Sequence, residues 1–229
     1  MRTEDTYFYD PVKGHGLPHD PFKAIVAPRP IGWISTRNPA GQGNLAPYSF
    51  FSAMCDHPPV IAFSSAGRKD SVRNIEATGE FVANFVSQSL AAAMNACSAS
   101  FPYGEDEMVA VGLTPAVCRQ VAAARVAEAP AALECRLLQI VALNDLDGQS
   151  TDHFVVFGQV TGVHIARAYL KDGRFDTGAA APLMRAGYLT EYAAVGPEQI
   201  LHLERPDTPD DARKLLAAWK STDHRSKSL

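Results

Sequence analysis

Short apolar segments rich in β-branched and aromatic residues run along most of the chain, and clusters of glycine, proline, asparagine and aspartate separate them. Continuous or alternating apolar segments of this length predict strands rather than helices. The predicted strands are residues 31–36, 45–54 (an irregular strand, because it contains Pro47), 59–66, 80–86, 131–143 and 153–166.

Two of the intervening segments predict tight reversals of the chain. Residues 37–44 contain several turn formers, and Asp147-Gly148 follows the strand at 131–143; both patterns are typical of β-hairpins. Neighbouring strands joined by hairpins form antiparallel sheets. We therefore expect a mainly β protein with peripheral helices, built on a closed or nearly closed antiparallel barrel.

Few segments have helical signals. Residues 69–79 predict a short helix that Asp70 or Ser71 caps and Gly79 ends, and the alanine-rich residues 87–100 predict a second.

A third helix is predicted near the end of the chain. Thr208 is its expected N-cap and Pro209 its first helical residue. Its expected apolar face consists of Leu215, Leu216 and Trp219. The resulting domain prediction is an extended arm at 1–23 laid over the barrel, a barrel domain at 24–195 and a helical extension at 196–229.

Composition and charge argue against several classes of function. The 21 basic and 25 acidic residues are mixed and give a net charge of −4, which argues against nucleic acid or a membrane surface as a partner. Neither a signal peptide nor an apolar run long enough for a transmembrane helix is evident. The four cysteines have no spacing suited to zinc, so we expect no metal site, reduced and mostly buried thiols, and a cytoplasmic protein.

Common sequence motifs for nucleotide, calcium or hydrolase sites do not indicate a function here. The glycines of GQGNLA (41–46) have dinucleotide-fingerprint spacing, but the proline-containing segment after them predicts a strand rather than the required helix. The calcium-loop start NDLDG lacks its glutamate. No GxSxG, HExxH or P-loop string is present, although a catalytic triad assembled by the fold stays possible at this level.

One combination of segments is specific. The segments WISTRNPAGQGNLAPYSFF (33–51), AFSSAGRKDSVRNI (62–75) and FVANFVS (81–87) follow one another in this order. Together they resemble the flavin reductase-like family of FMN-binding split barrels, which includes flavoredoxin and reductase components of two-component monooxygenases. The similarity extends over about residues 20–195. It departs at AGYLTEY (186–192), where relatives often carry a Gly-Gly pair.

The resemblance implies FMN, in preference to FAD, as cofactor. A helix N-terminus with Lys69, Asp70 and Ser71 is expected to hold the phosphate, because it offers amide donors and positive potential. Ser64 is expected at the ribityl chain or phosphate. An apolar slot with a few fixed donors is expected around the flavin ring, formed by Trp33, Ser35, Thr36, Asn44, Leu45, Ala46, Pro47, Tyr48 and Ser49.

For three further residues the resemblance implies a less specific role. His164 and Arg185 are candidates for a place near the flavin or nicotinamide, with Tyr188 nearby, although a lone strand histidine such as His164 is as often structural. The expected function is NAD(P)H:flavin oxidoreduction by a homodimer, with a monooxygenase as a candidate recipient of the reduced flavin. A non-catalytic FMN electron-transfer protein and a pyridoxamine phosphate oxidase-type enzyme are the alternatives.

Overall fold

The structure is a computed structural model that describes residues 5–221, with side chains described to residue 218. Its strands are β1 Arg29–Pro30, β2 Gly32–Arg37, β3 Gly43–Tyr48, β4 Phe51–Asp56, β5 Pro59–Ala66, β6 Glu80–Asn84, β7 Pro115–Ala116, β8 Arg125–Val126, β9 Ala131–Asn144, β10 Ser150–Ile165, β11 Leu170–Lys171, β12 Arg174–Phe175, β13 Leu183–Arg185 and β14 Tyr192–Ala194. Its α-helices are α1 Phe22–Ile25, α2 Asp70–Thr78, α3 Ala91–Ala96, α4 Glu107–Ala110, α5 Thr177–Ala180 and α6 Pro209–Ser221.

Seven strands form one sheet in the order β3-β2-β6-β9-β10-β5-β4, and all its pairs are antiparallel. The two edge strands, β3 and β4, are consecutive in the chain, with only Ser49 and Phe50 between them. The amide of Ser64 on β5 donates to the Phe50 carbonyl over 2.8 Å. Because the chain connects the two edges so briefly, the sheet must curl into a barrel, and the predicted mainly β, antiparallel architecture is confirmed.

Alternation along β2 creates two apolar cores. Ile34 faces the barrel interior with Phe63 and Phe81, whereas Trp33 packs with Leu45 against the residues of α3 and α4. Successive strand side chains point to opposite faces, and helices cover the outer face of β2. Both faces of this strand are therefore buried.

The β9–β10 hairpin is the longest element, and it forms as predicted. Gly148, in its turn, has φ of 78°, a left-handed conformation that glycine adopts without steric cost. Near this turn the hairpin is largely exposed, including the apolar side chains of Leu138 and Leu143.

Two predicted elements differ from the structure. The segment 45–54 is two strands, β3 and β4, because the chain bends at Ser49 and Phe50 to pass between the sheet edges. Within 87–100 only α3 is α-helical, preceded by a 3₁₀ turn, Gln88–Leu90. The Ser87 hydroxyl bonds that of Ser89 instead of capping an amide.

The chain separates into two compact units, with the boundary between Glu198 and Gln199. In the second unit, the amide of Asp211 donates to the Thr208 hydroxyl over 3.2 Å, so the predicted start of α6 is confirmed. The side chain of Trp219 lies outside the described residues. No helix within residues 5–221 is long and apolar enough to cross a membrane.

The four cysteines are free thiols. Cys97 and Cys135 are buried and Cys118 is half-buried, but Cys55 on β4 is exposed. The expectation of mostly buried thiols therefore fails for Cys55, which lies on a sheet-edge strand.

Candidate functional site

The first turn of α2 offers uncapped backbone amides. Lys69 occupies the N-cap position with no side-chain hydrogen bond to the helix, and Asp70 is the first helical residue. The sequence-based assignment of Asp70 or Ser71 as N-cap was wrong, because Asp70 pairs with Arg73 and the Ser71 hydroxyl accepts from Asn44. Free amides at a helix start suit an anion.

A cavity of about 640 Å³ opens at this helix start. Lys69 and Ser71 line it together with Pro47 and Tyr48 of β3. The Tyr48 hydroxyl lies near those of Ser65 and Ser71, but it is buried and makes no hydrogen bond of acceptable geometry within the described residues. Burial raises the pKa of Tyr48, so it stays a neutral donor for a ligand.

Two buried amide side chains fix α2 against the barrel. Asn44 Nδ2 donates to Ser71 Oγ over 3.0 Å, and Asn74 Nδ2 donates to Thr36 Oγ1 over 3.1 Å. The first bond ties the first turn of α2 to β3, and the second ties the middle of α2 to β2. The cavity walls are thus pre-arranged before any ligand binds.

A second cavity, of about 670 Å³, shares Pro47 and Ser98 with the first. Its cationic lining includes Arg29 and Arg185. The Arg185 guanidinium donates to Tyr192 Oη over 2.6 Å and lies 4.7 Å from the centre of the Tyr192 ring. The two cavities adjoin at these residues, and we refer to them together as the cleft, with the start of α2 at one end and a basic, aromatic end at the other.

A third cavity, of about 660 Å³, is mostly apolar. Ser49 lines both this cavity and the second. Ser64 lines this cavity with Phe51 and Met54, so the structure brings Ser64 to the apolar cavity rather than to the one that contains Lys69.

Comparison with known proteins places this geometry in a family. Residues 26–182 match the model of the flavin reductase like domain. The chain belongs to the flavin reductase-like family. An uncharacterized protein of Deinococcus radiodurans is 41% identical over 176 residues, which are 72% of this chain and 74% of the relative.

Comparison with solved structures supports the same family. Nitrilotriacetate monooxygenase component B from Bacillus cereus has a TM-score of 0.73 at 30% identity, covering 80% of this chain and 90% of that one. Pseudomonas fluorescens 2-nitrobenzoate 2-nitroreductase has a TM-score of 0.71 at 26% identity, covering 81% and 89%. The flavin reductase-like domain of this chain thus has the split-barrel fold expected from the resemblance.

In this flavin reductase-like domain, seven of the expected cofactor residues share the 640 Å³ cavity: Asn44, Ala46, Pro47, Tyr48, Lys69, Asp70 and Ser71. Four others are interior. Trp33 and Leu45 are fully buried in the outer core. Ser35 and Thr36 line a smaller pocket of about 220 Å³ that shares Asn44 with the 640 Å³ cavity, and the Ser35 hydroxyl donates to the Ala124 carbonyl.

His164 lies away from these cavities, against Glu134. Its Nε2 is 2.5 Å from Glu134 Oε1, and the Glu134 carboxylate also accepts the amides of residues 119–121. Burial opposes the charge of Glu134, but these hydrogen bonds outweigh it and lower its pKa. The ligand atoms of Cys118, Glu134 and His164 lie within 4.8 Å of one another, yet the carboxylate already anchors a loop.

Sequence reasoning missed two residues of the cleft. Glu107, in α4, lines the 640 Å³ cavity and accepts the Leu45 amide over 2.8 Å, and burial raises its pKa. The sequence signal that could have pointed to Glu107 is Asp106, the N-cap residue directly before it at the start of α4. Arg29 is 7% exposed. No sequence pattern marked it as a site residue, apart from its position shortly before β2.

Proposed function

We propose that this protein is an FMN-dependent NAD(P)H:flavin oxidoreductase. The observation that carries the proposal is the uncapped start of α2 with Lys69 and Ser71, opening into the cleft of a flavin reductase-like domain. Bound FMN would accept a hydride from NAD(P)H and pass the electrons on.

The residues at the start of α2 fit a phosphate group. The backbone amides and the Ser71 hydroxyl supply donors, and the exposed Lys69 supplies a positive charge. Arg68 pairs with Glu76, and Arg73 pairs with Asp70, so each is largely neutralised by an acid. Lys69 is therefore the cation to which we assign the phosphate charge.

Other residues shape the path towards the second cavity. Pro47 has no amide to donate to the sheet ladder, and it lies where the two cavities join. Met94 and Ile31 give the second cavity apolar walls, which exclude water from a ring bound against them. No side chain has to act as a nucleophile or a proton donor, since these groups bind, orient and dehydrate.

A homodimer is part of the proposal. Apolar side chains stay exposed on three strands of the large sheet: Met54 on β4 is 52% exposed, Leu138 on β9 is 53% exposed and Val163 on β10 is 60% exposed. Exposed apolar side chains are available to a protein interface, and a second copy of the chain is the occupant that the resemblance implies. A monooxygenase that consumes reduced flavin is the further partner we propose.

The absorbance spectrum of the purified protein tests the cofactor, followed by identification of the released flavin. Loss of nicotinamide absorbance on incubation with FMN and NADH or NADPH under air tests the activity. Bound FMN without nicotinamide oxidation would replace the proposal with an electron-transfer protein. Absence of flavin binding would overturn it entirely.

A further inference from the structure

Three side chains that can ligate a metal ion converge beside the β9–β10 hairpin. Glu134 lies on β9, His164 lies on β10, and Cys118 lies between β7 and β8. Their ligand atoms are within 4.8 Å of one another. Ligands of a tetrahedral zinc ion lie about 3–4 Å apart, since the bonds to the ion are about 2.0–2.3 Å long. Because the three residues come from separate segments, no motif spacing in the sequence marks them.

The register of the hairpin brings two of the three residues together. Glu134 is directly paired with Gly162, two residues before His164, and side chains two positions apart on a strand lie on the same face. A Cβ at Gly162 would lie 3.1 Å from Glu134 Oε1. The glycine therefore leaves room for the carboxylate to reach both His164 and the loop that contains Cys118.

The two carboxylate oxygens of Glu134 have different neighbours. Oε2 accepts the amides of Gln120 and Val121, and the Arg119 amide is shared between both oxygens. Oε1 lies 2.5 Å from His164 Nε2. A proton joins these two atoms at this distance, and a metal ion would join them at a slightly greater one. Oε1 can thus ligate a metal ion while Oε2 keeps the loop in place.

The charges of the cluster suit a divalent cation. A thiolate and a carboxylate supply one negative charge each, and a neutral imidazole adds none. Arg125 and Glu80 act on the Cys118 thiol with opposite signs, so they largely offset each other. Burial raises the pKa of Cys118 to about 11, so the thiol keeps its proton in the metal-free protein, and a bound metal ion would displace that proton to solvent.

We propose that Cys118, Glu134 and His164 bind one zinc ion, with water as the fourth ligand. Zinc takes sulfur, nitrogen and carboxylate ligands together, whereas calcium and magnesium take oxygen ligands. The side chain of His164 is 22% exposed, which gives the ion access from solvent. None of the three residues lines the cleft or the apolar cavity. The bound ion would join the loop of Cys118 to the hairpin and stabilise the fold.

Equilibrium dialysis of the purified, FMN-loaded protein against zinc chloride, followed by metal analysis, tests the site. We expect one zinc ion per chain. Cys118→Ser should weaken zinc binding about a hundredfold, because it removes the thiolate ligand. Cys55→Ser removes an exposed thiol on β4 and is the matched control, which should bind zinc as the wild type does.

His164→Gln separates metal ligation from a purely structural role. The glutamine amide can still donate a hydrogen bond to Glu134, but it is a poor ligand for zinc. Zinc should raise the Tm of the wild type, since it binds the folded state. We expect that rise to be lost in His164→Gln and in Cys118→Ser. The FMN dissociation constant, measured by flavin fluorescence, checks that each variant is folded.

Two results would overturn the inference. If the wild type binds no zinc, only a proton joins Glu134 to His164. If zinc binding and the zinc-dependent rise in Tm persist in either Cys118→Ser or His164→Gln, the ion binds other groups of the protein.

Discussion

The amide side chain of Asn44 donates a hydrogen bond to the hydroxyl of Ser71 over 3.0 Å, and both residues are buried. This bond joins β3, which lines both cavities, to the first turn of α2. It ties the helix start to the strand at the point where we propose that a phosphate binds. Removal of this hydrogen bond should therefore weaken ligand binding and lower the stability of the folded protein.

Asn44→Ala and Ser71→Ala should not be additive in the free energy of unfolding. A buried hydrogen bond contributes about 0.5–1.5 kcal/mol, and loss of either partner leaves the other unsatisfied. We expect a coupling of about 1 kcal/mol in a double-mutant cycle measured by urea denaturation. Additive losses would mean that the bond contributes nothing net.

Lys69→Met and Ser71→Ala should weaken FMN binding and spare riboflavin, which lacks the phosphate. A charge-assisted hydrogen bond is worth about 1.5–3 kcal/mol, or roughly a tenfold to hundredfold change in dissociation constant. Exposed Lys69 should fall at the low end, since solvent screens its charge. Fluorescence titration with both flavins decides this, with Lys171→Met as the matched control. Equal losses for FMN and riboflavin would refute a phosphate site here.

Glu134 should contribute stability that depends on pH. Its pKa in the folded protein lies below the ordinary value of 4.5, so its stabilisation is present above about pH 4.5 and is lost as the pH falls through the folded value. We expect the difference in unfolding free energy between the wild type and Glu134→Gln to be largest near neutral pH and to shrink in acid. Burial raises the pKa of the adjacent Cys118 to about 11, so its thiol stays neutral throughout. A pH-independent difference would contradict this assignment.

Gly158→Ala should destabilise the barrel. A Cβ at this position would overlap the ring of Phe81, which is fully buried, and overpacking of this kind costs about 1–3 kcal/mol. Because Phe81→Leu removes the atoms that clash, adding Gly158→Ala to a Phe81→Leu background should cost less than in the wild type. Thermal unfolding of the four proteins measures both effects, and equal costs in the two backgrounds would exclude the ring as the cause.

Leu138→Glu should shift the proposed dimer towards a monomer of 24.7 kDa, because it places a charge on the exposed apolar strands. Light scattering over a range of concentrations measures this. Val117→Glu, at a position 88% exposed and outside the hairpin, is the control. A wild-type mass that stays near 24.7 kDa at every concentration would rule the dimer out.

The sequence alone determined the local structure and the family. Residues 59–66 fold as the predicted strand, and Gly79 ends α2 with φ of 74°, because alternation, β-branching and turn glycines act over a few neighbouring residues. The order of motifs from Trp33 to Ile75 identified the flavin reductase-like family. The resemblance named seven cofactor candidates that the tertiary structure brings to a single cavity.

Only the tertiary structure decided the partners of buried polar groups. Glu107 meets the Leu45 amide across 62 positions of sequence, and His164 meets Glu134 across 30. Whether a glutamate holds a backbone amide or a histidine lies in a cleft depends on which strands become neighbours when the barrel closes. Burial then favours a partner for each polar group among those neighbours, and neither propensity nor spacing encodes that choice.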